Sequence, residues 1–444
     1  MLATPEGIRT LQRKLYTKAK QEPAYRFYAL YDKVWRADIL NYAYHLVRAN
    51  KGSPGVDGIS FEAIEQTTGI DAFVSELAQD LKEKTYHPSP VRRVMIPKAD
   101  GSLRPLGIPT IRDRVAQMAV KLVLEPIFEA DFCPNSYGFR PKRSAHDAVD
   151  AIAEALHRGY TRVIDADLSK YFDSIPHAKL LAVVAERIVD GAILHLIKLW
   201  LKAPVMGEAE DGTRKHVGGG KANSRGTPQG GVISPLLSNC YLHLLDRIWE
   251  RHQLVGKLKA RIVRYADDFV VLCGGQVDAP LAMVRRLLDR LDLVLNESKT
   301  RIVDARTESF QFLGFSIRVS KSWKSGKSYP HVCPAPKSLA KIKESMKQKT
   351  DRRLTPIPLD DVVRNLNASL RGWTGYFHYR NSSQVLDKVK TYAENRLRNH
   401  LMKRHKIRNR GEALQRFPRQ KLYADYGLFK VPITAGWKSV HAVV

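Results

Sequence analysis

The chain has 444 residues, of which 44% are hydrophobic and 27% charged, a composition typical of a globular protein with two or three domains. Its 73 Lys and Arg residues exceed its 45 Asp and Glu residues, which gives a formal net charge of +28. Such an excess favours a nucleic-acid partner, because Lys and Arg displace counterions from a phosphate backbone. The sequence has neither a run of about 18 apolar residues nor an apolar signal core, so we expect a cytoplasmic protein without a membrane partner.

The N-terminal part carries a helical pattern over residues 1–50, followed by a loop rich in Gly and Pro at 51–58. Residues 91–109 then predict a β-hairpin. Its basic side chains, among them Lys98 and Arg104, suit a clamp over a triphosphate, since Arg forks onto phosphate oxygens and Lys acts as a point charge. A solvated basic hairpin is the alternative that composition leaves open.

Further along, residues 113–131 predict a core helix and residues 163–168 predict a strand. Asp165 and Asp167 would share one face of this strand, because side chains two residues apart point the same way. Asp173 follows after two aromatic residues. A carboxylate that leaves the end of a strand is well placed to meet other acidic groups of the fold.

A polar, glycine-rich loop over residues 218–235 leads into an apolar helix. Such a loop at a helix N-terminus can bind phosphate in principle. The loop lacks the GK[ST] ending of a P-loop, which excludes that class of NTPase. A flexible surface loop is the alternative.

The centre of the chain, residues 261–272, consists of two short β-branched stretches on either side of YADD. A tight turn there would put Asp267 and Asp268 side by side, and such a like-charged pair needs cations, for which Mg²⁺ suits carboxylate oxygens. An ordinary Asp-rich turn is the alternative. Together with Asp167, three carboxylates would be enough to hold two Mg²⁺ ions alongside substrate phosphates.

After the central hairpin we expect a helix over residues 280–295 and strands over 296–302 and 310–317. The composition becomes more basic near residue 320, and residues 360–410 look helical, with Arg interleaved among Trp, Tyr and His. This pattern favours an RNA- or DNA-contacting module, although a charged run is often only a solvated face. The candidate RNA-binding residues are Arg371, Trp373, Arg396, Arg398, Lys403 and Arg404.

At this point the order of the motifs resembles that of the group II intron reverse transcriptase–maturase family, over roughly residues 20–400. The matching motifs are GVDG, IPKADGSLRPLGIP, SYGFRP, DLSKYFDSI, RGTPQGGVISPLLSN, YADD, LNESKT and FLGF. The segment RGWTGYFHY resembles the maturase domain of the same family. One tetrapeptide is unspecific, whereas eight motifs in one order are specific. The resemblance implies an α+β fold, a right-hand polymerase with fingers and an antiparallel palm sheet, followed by a helical thumb and maturase domain.

The resemblance also implies domain limits. An N-terminal extension and fingers would cover 1–160, the palm 161–320, the thumb and maturase domain 321–410, and a basic segment 411–444 would be a candidate for DNA binding. Relatives often add a C-terminal endonuclease with a Cys-based zinc finger, but the four cysteines of this chain are far apart. We therefore expect the compact type without an endonuclease, whose source of primer is open.

Carried onto this sequence, the resemblance implies that Asp167, Asp267 and Asp268 bind the two catalytic Mg²⁺ ions. Phe172 matches the bulky residue that blocks a 2′-hydroxyl and so selects deoxynucleotides. Lys299 lies near the position proposed to protonate pyrophosphate.

Three further positions would contact the incoming nucleotide. Lys98 and Arg104 match residues of the fingers that hold the triphosphate, and Gln229 matches a residue that contacts the nucleotide.

The implied function is RNA-directed DNA polymerisation that copies group II intron RNA into cDNA, together with binding of that RNA to assist splicing and mobility. The implied partners are group II intron RNA, an RNA template with a DNA primer, target DNA and deoxynucleoside triphosphates, in a bacterial cytoplasm or nucleoid. One alternative is an RNA-binding maturase with little polymerase activity. Another is a domesticated reverse transcriptase in phage defence.

Overall fold

A computed structural model describes residues 2–97, 101, 103–208, 213–228 and 230–436. Lys98 and Gln229 therefore lie outside the described residues. Within the described ranges, every helix is too short or too polar to cross a lipid bilayer.

The first 160 residues are mainly helical. Their helices are α1 (Glu6–Gln21), α2 (Tyr31–Val34), α3 (Ala37–Ala49), α4 (Phe61–Thr67), α5 (Ile70–Glu83), α6 (Ile111–Asp131) and α7 (Ala145–His157), and their strands are β1 (Val91–Pro97) and β2 (Leu103–Ile108). The helix α6 begins after Thr110, whose hydroxyl accepts the backbone N–H of Asp113 at 3.1 Å and so caps the first turn. Because α6 is buried on almost every side, it forms the centre of this region.

The middle of the chain alternates strands and helices. Its elements are β3 (Arg162–Ala166), α8 (Tyr171–Ser174), α9 (His177–Ala185), α10 (Gly191–Leu201), β4 (Val205–Glu208), β5 (Arg214–Gly218), α11 (Ser234–Arg251), α12 (Leu254–Lys257), β6 (Ala260–Tyr265), β7 (Asp268–Cys273), α13 (Asp278–Arg290) and β8 (Arg301–Asp304).

The remaining part begins with three strands and ends in helices. These are β9 (Phe310–Phe312), β10 (Phe315–Lys321), β11 (Ser328–Pro334), α14 (Pro336–Lys349), a short 3₁₀ helix (Arg352–Leu354), α15 (Leu359–Phe377), α16 (Ser383–Arg404), α17 (Arg410–Arg416) and α18 (Arg419–Ala424).

Three sheets organise the strands of the described ranges. Their strand orders are β2-β1-β4-β5, β6-β7-β3-β8 and β11-β10-β9. In the first sheet β1 pairs antiparallel with β2 and parallel with β4, and in the third β10 pairs antiparallel with both neighbours. The α+β fold with antiparallel pairing and a helical C-terminal region is thus confirmed.

The chain divides into two compact units. One contains residues 1–148, 166–271 and 276–301, and the other contains residues 149–165, 272–275 and 302–444. The helices α14 to α18 of the second unit share one apolar core, to which Leu366, Leu397, Phe417 and Leu422 belong. Leu428 and Val431 lie in the same core, so the chain beyond residue 411 packs into this helical layer as far as Val431.

Some predicted element limits are wrong. The strand predicted to reach Leu168 ends at Ala166, so Asp167 lies just past its end. The strand predicted over residues 296–302 begins only at Arg301, because Asn296–Thr300 fold into a turn in which Asn296 O accepts the Lys299 and Thr300 N–H groups. The helix predicted over residues 280–295 runs instead over α13, and the helical pattern predicted over residues 1–50 is interrupted between α1 and α2.

Candidate active site

The turn between β6 and β7 carries Asp267. It contains two residues, Ala266 and Asp267, and Ala266 has a left-handed φ of 57°. This conformation is uncommon for a residue other than glycine. Asp268, the next residue, is the first of β7, and its side chain is exposed. The predicted tight turn at YADD is therefore present.

Gly138, from the SYGFRP motif, packs directly against this turn. A Cβ atom at Gly138 would lie 2.4 Å from the backbone N of Ala266 and 2.9 Å from the carbonyl carbon of Tyr265. The backbone beside Gly138 is also tied to β6, since Tyr137 N donates to Arg264 O and Arg264 N donates to Asn135 O, both at 2.9 Å. Only a glycine fits this approach without moving the turn.

A buried guanidinium supports the same turn from behind. Arg264 and Asp246 are both fully buried and form an ion pair, in which Arg264 Nε lies 3.0 Å from Asp246 Oδ2. Arg264 Nη1 donates to the carbonyl of Ala266 and to Asn239 Oδ1, each at 3.0 Å. Asn239 in turn donates to Gly138 O at 2.7 Å. These polar groups fix one conformation of the turn, because a buried donor left without its acceptor is costly.

Sequence reasoning missed Arg264, Asp246 and Asn239. A signal for Arg264 was nevertheless present, since it lies two residues after the apolar Ile262 on a strand and therefore shares its buried face. Asp246 and Asn239 lie on α11, and no local pattern identifies them as partners of Arg264.

Asp167 lies directly after the end of β3. Its carboxylate accepts the Asn296 side-chain N–H at 3.0 Å, and its backbone carbonyl accepts the Asn296 backbone N–H at 2.8 Å. Lys299 Nζ lies 3.6 Å from Asp167 Oδ2, and both side chains are partly exposed. The LNESKT motif therefore holds Asp167 in place, and Asn296 is a residue of the site that we did not predict individually.

The acidic groups influence each other electrostatically. Burial is the main cause that raises the pKa of Asp267, and the negative charge of Asp167 raises it further. The positive charges of Arg104 and Arg264 act in the opposite direction. Asp167 and Asp267 thus lie close enough for their charges to interact although 100 positions separate them, and Arg104 is near the same pair.

Phe172 lies on the short helix α8, next to the end of β3. Its ring is half-buried and meets the ring of Tyr171 edge to face at 5.4 Å, while the Tyr171 hydroxyl donates to Ser238 O at 2.8 Å. The Phe172 carbonyl accepts the Thr227 N–H at 2.7 Å, so the glycine-rich loop is tied to this helix. A cavity of about 250 Å³ is lined here by Asp173, Thr227 and residues of β1 and β2.

Carboxylate oxygens are suitable ligands for Mg²⁺, and two neighbouring carboxylates gain stability from a divalent cation. Asp167 and Asp267 fit this requirement. Among the described residues, no three His, Cys, Asp or Glu side chains form a group that could hold a metal ion. The three-carboxylate site stays a prediction.

Several of the basic residues predicted to bind RNA make internal contacts within the helical unit. Arg398 is buried and donates to Phe417 O at 3.1 Å, Arg396 donates to Thr350 Oγ1 at 2.9 Å, and Arg404 donates to Ile357 O at 2.7 Å. The three remaining residues differ. Arg371 and Lys403 are exposed, and Trp373 packs against the helical core.

Two family models match the chain. Residues 96–317 match the reverse transcriptase (RNA-dependent DNA polymerase) model, and residues 339–417 match the group II intron, maturase-specific domain. The aspartate site, with Asp167, Asp267 and Asp268, lies within the first match. The fold and the two matches define the class of protein, an RNA-directed DNA polymerase that carries a maturase domain.

Similar proteins come from bacteria and yeast. Protein YkfC of Escherichia coli is 37% identical over 347 residues, which are 70% of this chain and 88% of YkfC. The group II intron-encoded protein LtrA of Lactococcus lactis is 32% identical over 67% of this chain and 57% of its own length. An uncharacterized 91 kDa protein in the cob intron of Schizosaccharomyces pombe is 27% identical over 78% of this chain and 50% of its own length.

The chain therefore belongs to the group II intron-encoded reverse transcriptase–maturase family. It spans only about half the length of LtrA and of the cob intron protein. The predicted function, RNA-directed DNA polymerisation joined to a maturase function in intron splicing and mobility, is confirmed at the level of this family. Reverse transcriptase domains generally use divalent metal ions, and the maturase domain implies binding of intron RNA.

Proposed function

We propose that this chain copies group II intron RNA into cDNA at a site built on Asp167, Asp267 and Asp268, and that it uses two Mg²⁺ ions. The observation that carries the proposal is the sheet order β6-β7-β3-β8, in which β3, followed directly by Asp167, is the neighbour of β7, which begins at Asp268. The raised pKa of Asp267, to which the charge of Asp167 contributes, agrees with this placement. Bound Mg²⁺ would activate the primer 3′-hydroxyl and stabilise the negative charge of the leaving pyrophosphate.

The residues around the aspartates would orient the site. Asn296 donates to one oxygen of Asp167 and so restricts the rotation of that carboxylate. Lys299, whose Nζ lies 3.6 Å from the same oxygen, would supply a proton to a leaving pyrophosphate. Arg104 would meet a triphosphate from the side of β2, where its guanidinium already interacts with Asp267.

Two further contacts rest on the sequence motifs alone. Lys98 would assist Arg104 in holding the triphosphate, and Gln229 would contact the incoming nucleotide. Phe172, half-buried on α8, would exclude a 2′-hydroxyl and so select deoxynucleotides.

The maturase function needs only binding, because the intron RNA itself carries out transesterification. We propose that Arg371 and Lys403, which are exposed on α15 and α16, meet the phosphate backbone of intron RNA. Arg396, Arg398 and Arg404 would act indirectly, since their internal hydrogen bonds brace those helices. Target DNA and a primed RNA template complete the set of partners, and the segment beyond residue 411 is a candidate for the DNA contact.

The test is primer extension on an oligo(dT)-primed poly(A) template, with deoxynucleotides and ribonucleotides supplied in parallel. The variant Asp267→Asn/Asp268→Asn should lose extension by at least about a thousandfold while it still binds the primed template. Asp289→Asn is the matched control, because Asp289 is an exposed carboxylate on α13 outside the proposed site. Full extension by the double variant would overturn the proposed site, and use of ribonucleotides alone would make the protein an RNA polymerase.

A further inference from the structure

A β-hairpin in the second unit displays a tryptophan at its tip. The Trp323 hairpin consists of β10, the tip residues 322–327 and β11, and its strands pair in register from Phe315 with Pro334 to Lys321 with Ser328. At the tip, Ser322 N donates to Lys327 O at 2.9 Å and Gly326 N donates to Ser322 O at 2.8 Å. Trp323 is 88% exposed on this ordered turn.

The base of the hairpin is firmly packed, so the exposure of Trp323 does not follow from a loose segment. Phe315 is fully buried and its ring lies 5.5 Å from that of Tyr376 and 5.2 Å from that of Phe377. Ile317 and Val332, which face each other across the strands, are also fully buried. The hairpin therefore projects its indole from a rigid support.

The charged Lys, Arg, Asp and Glu positions in the sequence segment around Trp323 are all basic. Residues 309–343 contain seven Lys and Arg residues and no Asp or Glu. These basic residues are Arg318, Lys321, Lys324, Lys327, Lys337, Lys341 and Lys343. Lys324 Nζ lies 5.2 Å from the centroid of the Trp323 ring, and Lys321 and Lys327 are exposed where the strands meet the tip. A surface of this kind attracts polyphosphate, since nothing acidic in the segment offsets its charge.

We propose that the Trp323 hairpin is an RNA-binding element, in which the indole stacks on an unpaired base and the surrounding lysines contact the flanking phosphates. An exposed aromatic ring among cations suits single-stranded or looped RNA, because unpaired bases expose the faces that stack. A regular duplex keeps its bases stacked and would engage only the lysines. The maturase-specific domain that begins at residue 339 makes RNA the nucleic acid expected beside this hairpin.

Other partners suit the hairpin less well. A membrane-inserting tip needs several apolar residues, whereas the neighbours of Trp323 at the tip are Ser, Lys and Gly. A protein-binding hot spot is centred on a patch depleted of charge, and this tip is rich in lysine. The proposal does not depend on the three aspartates, so its failure would leave the polymerase site untouched.

The experiment uses the full chain and two fluorescein-labelled probes, a 20-nucleotide oligouridylate and a 20-base-pair RNA duplex. Binding is measured by anisotropy over a range of salt concentrations. Trp323→Ala should weaken oligouridylate binding by about fivefold or more and change duplex binding by less than about twofold. Trp323→Phe, which keeps an aromatic face, should restore most of the affinity.

Lysine variants distinguish the contribution of positive charge to RNA affinity from the contribution of base stacking. Lys324→Ala should weaken binding of both probes and lower the salt dependence, because it removes a phosphate contact. Lys257→Ala, at an exposed lysine on α12, is the matched control for loss of one positive charge and should change neither. Oligouridylate should also quench the fluorescence of the wild type more than that of Trp323→Phe.

Three outcomes would overturn the proposal. In the first, Trp323→Ala binds oligouridylate as tightly as the wild type does. In the second, Trp323→Ala loses affinity for oligouridylate and for the duplex by the same factor. In the third, Trp323→Ala still binds RNA but no longer binds phosphatidylserine vesicles that the wild type binds. Trp323→Ala should weaken oligouridylate binding by the same factor in the Asp267→Asn/Asp268→Asn background as in the wild type. The RNA-binding role of the hairpin is thereby tested separately from the polymerase site.

Discussion

Arg264 and Asp246 form a fully buried ion pair directly behind the turn that carries Asp267. The guanidinium of Arg264 also donates to Ala266 O, inside the turn itself. Arg264 therefore neutralises the buried Asp246 and also holds the turn that carries Asp267. Its loss should affect both the stability of the fold and the polymerase activity. The ion pair is therefore the first feature to test.

We predict that Arg264→Met destabilises the protein by about 3–5 kcal/mol, because it leaves Asp246 charged and unpaired in the interior. The double variant Arg264→Met/Asp246→Leu should recover much of this loss of stability but not the polymerase activity, since the hydrogen bond to Ala266 stays absent. Urea denaturation and primer extension measure the two effects. A single variant within about 1 kcal/mol of the wild type would contradict the structural account.

Gly138→Ala should reduce primer extension while the protein stays folded. Its new Cβ would meet the backbone of Ala266, so the turn and Asp267 must shift. Gly256→Ala is the matched control, because a Cβ at Gly256 on α12 meets no atom within 4 Å. We expect a loss of about tenfold to a hundredfold in kcat for Gly138→Ala and none for the control. Equal activity of the two variants would show that the contact does not position the turn.

These two variants illustrate how far the sequence alone could go. Two short β-branched stretches on either side of the YADD tetrapeptide predicted the central turn, because runs of this length and composition favour strands. The burial of Arg264 follows from its position two residues after Ile262 on β6. Its partners Asp246 and Asn239 could not be predicted, because a helix pattern does not reveal which residue of another element its polar side chains meet.

The turn at Asn296 has a local cause that the strand prediction overlooked, since Asn and Ser favour turns and Ser298 Oγ donates to Asn296 Oδ1 at 2.8 Å. The contact of Asn296 with Asp167 could not be predicted, because 129 positions separate the two residues. In the helical unit, composition predicted a basic surface. Only packing separates Arg398, which is buried against Phe417 O, from the exposed Lys403. Side-chain roles of this kind depend on contacts distant in sequence, which composition does not encode.

Phe172→Ala should relax the choice of sugar. The ring contacts that of Tyr171, while the Thr227 N–H donates to the backbone carbonyl of Phe172. Removal of the ring should therefore open space on α8 without freeing the backbone. We expect the ratio of kcat/KM for deoxynucleotides over ribonucleotides to fall by about 10- to 100-fold. Phe172→Tyr keeps the bulk and should keep the ratio close to that of the wild type. An unchanged ratio in Phe172→Ala would remove Phe172 from the proposed selection.

Acid should destabilise the folded protein through the buried His243. His243 is buried on α11 against the ring of Phe132, and its Nδ1 has no hydrogen-bond partner among the described residues. Burial lowers the pKa of His243 to about 4. The unfolded chain, with a histidine pKa of about 6.5, therefore binds this proton first as the pH falls. The contribution of His243 to stability is complete above about pH 6.5 and decreases as the pH falls toward 4.

The pKa difference corresponds to a loss of about 3 kcal/mol across this pH range. In His243→Leu that contribution should be absent, so the difference in unfolding free energy between wild type and variant should change with pH between about 6.5 and 4. His252→Gln, at an exposed histidine after α11, controls for loss of a histidine from the surface. Urea denaturation at each pH gives the free energies. Parallel pH profiles for wild type and His243→Leu would mean that His243 binds its proton equally well in the folded and unfolded protein.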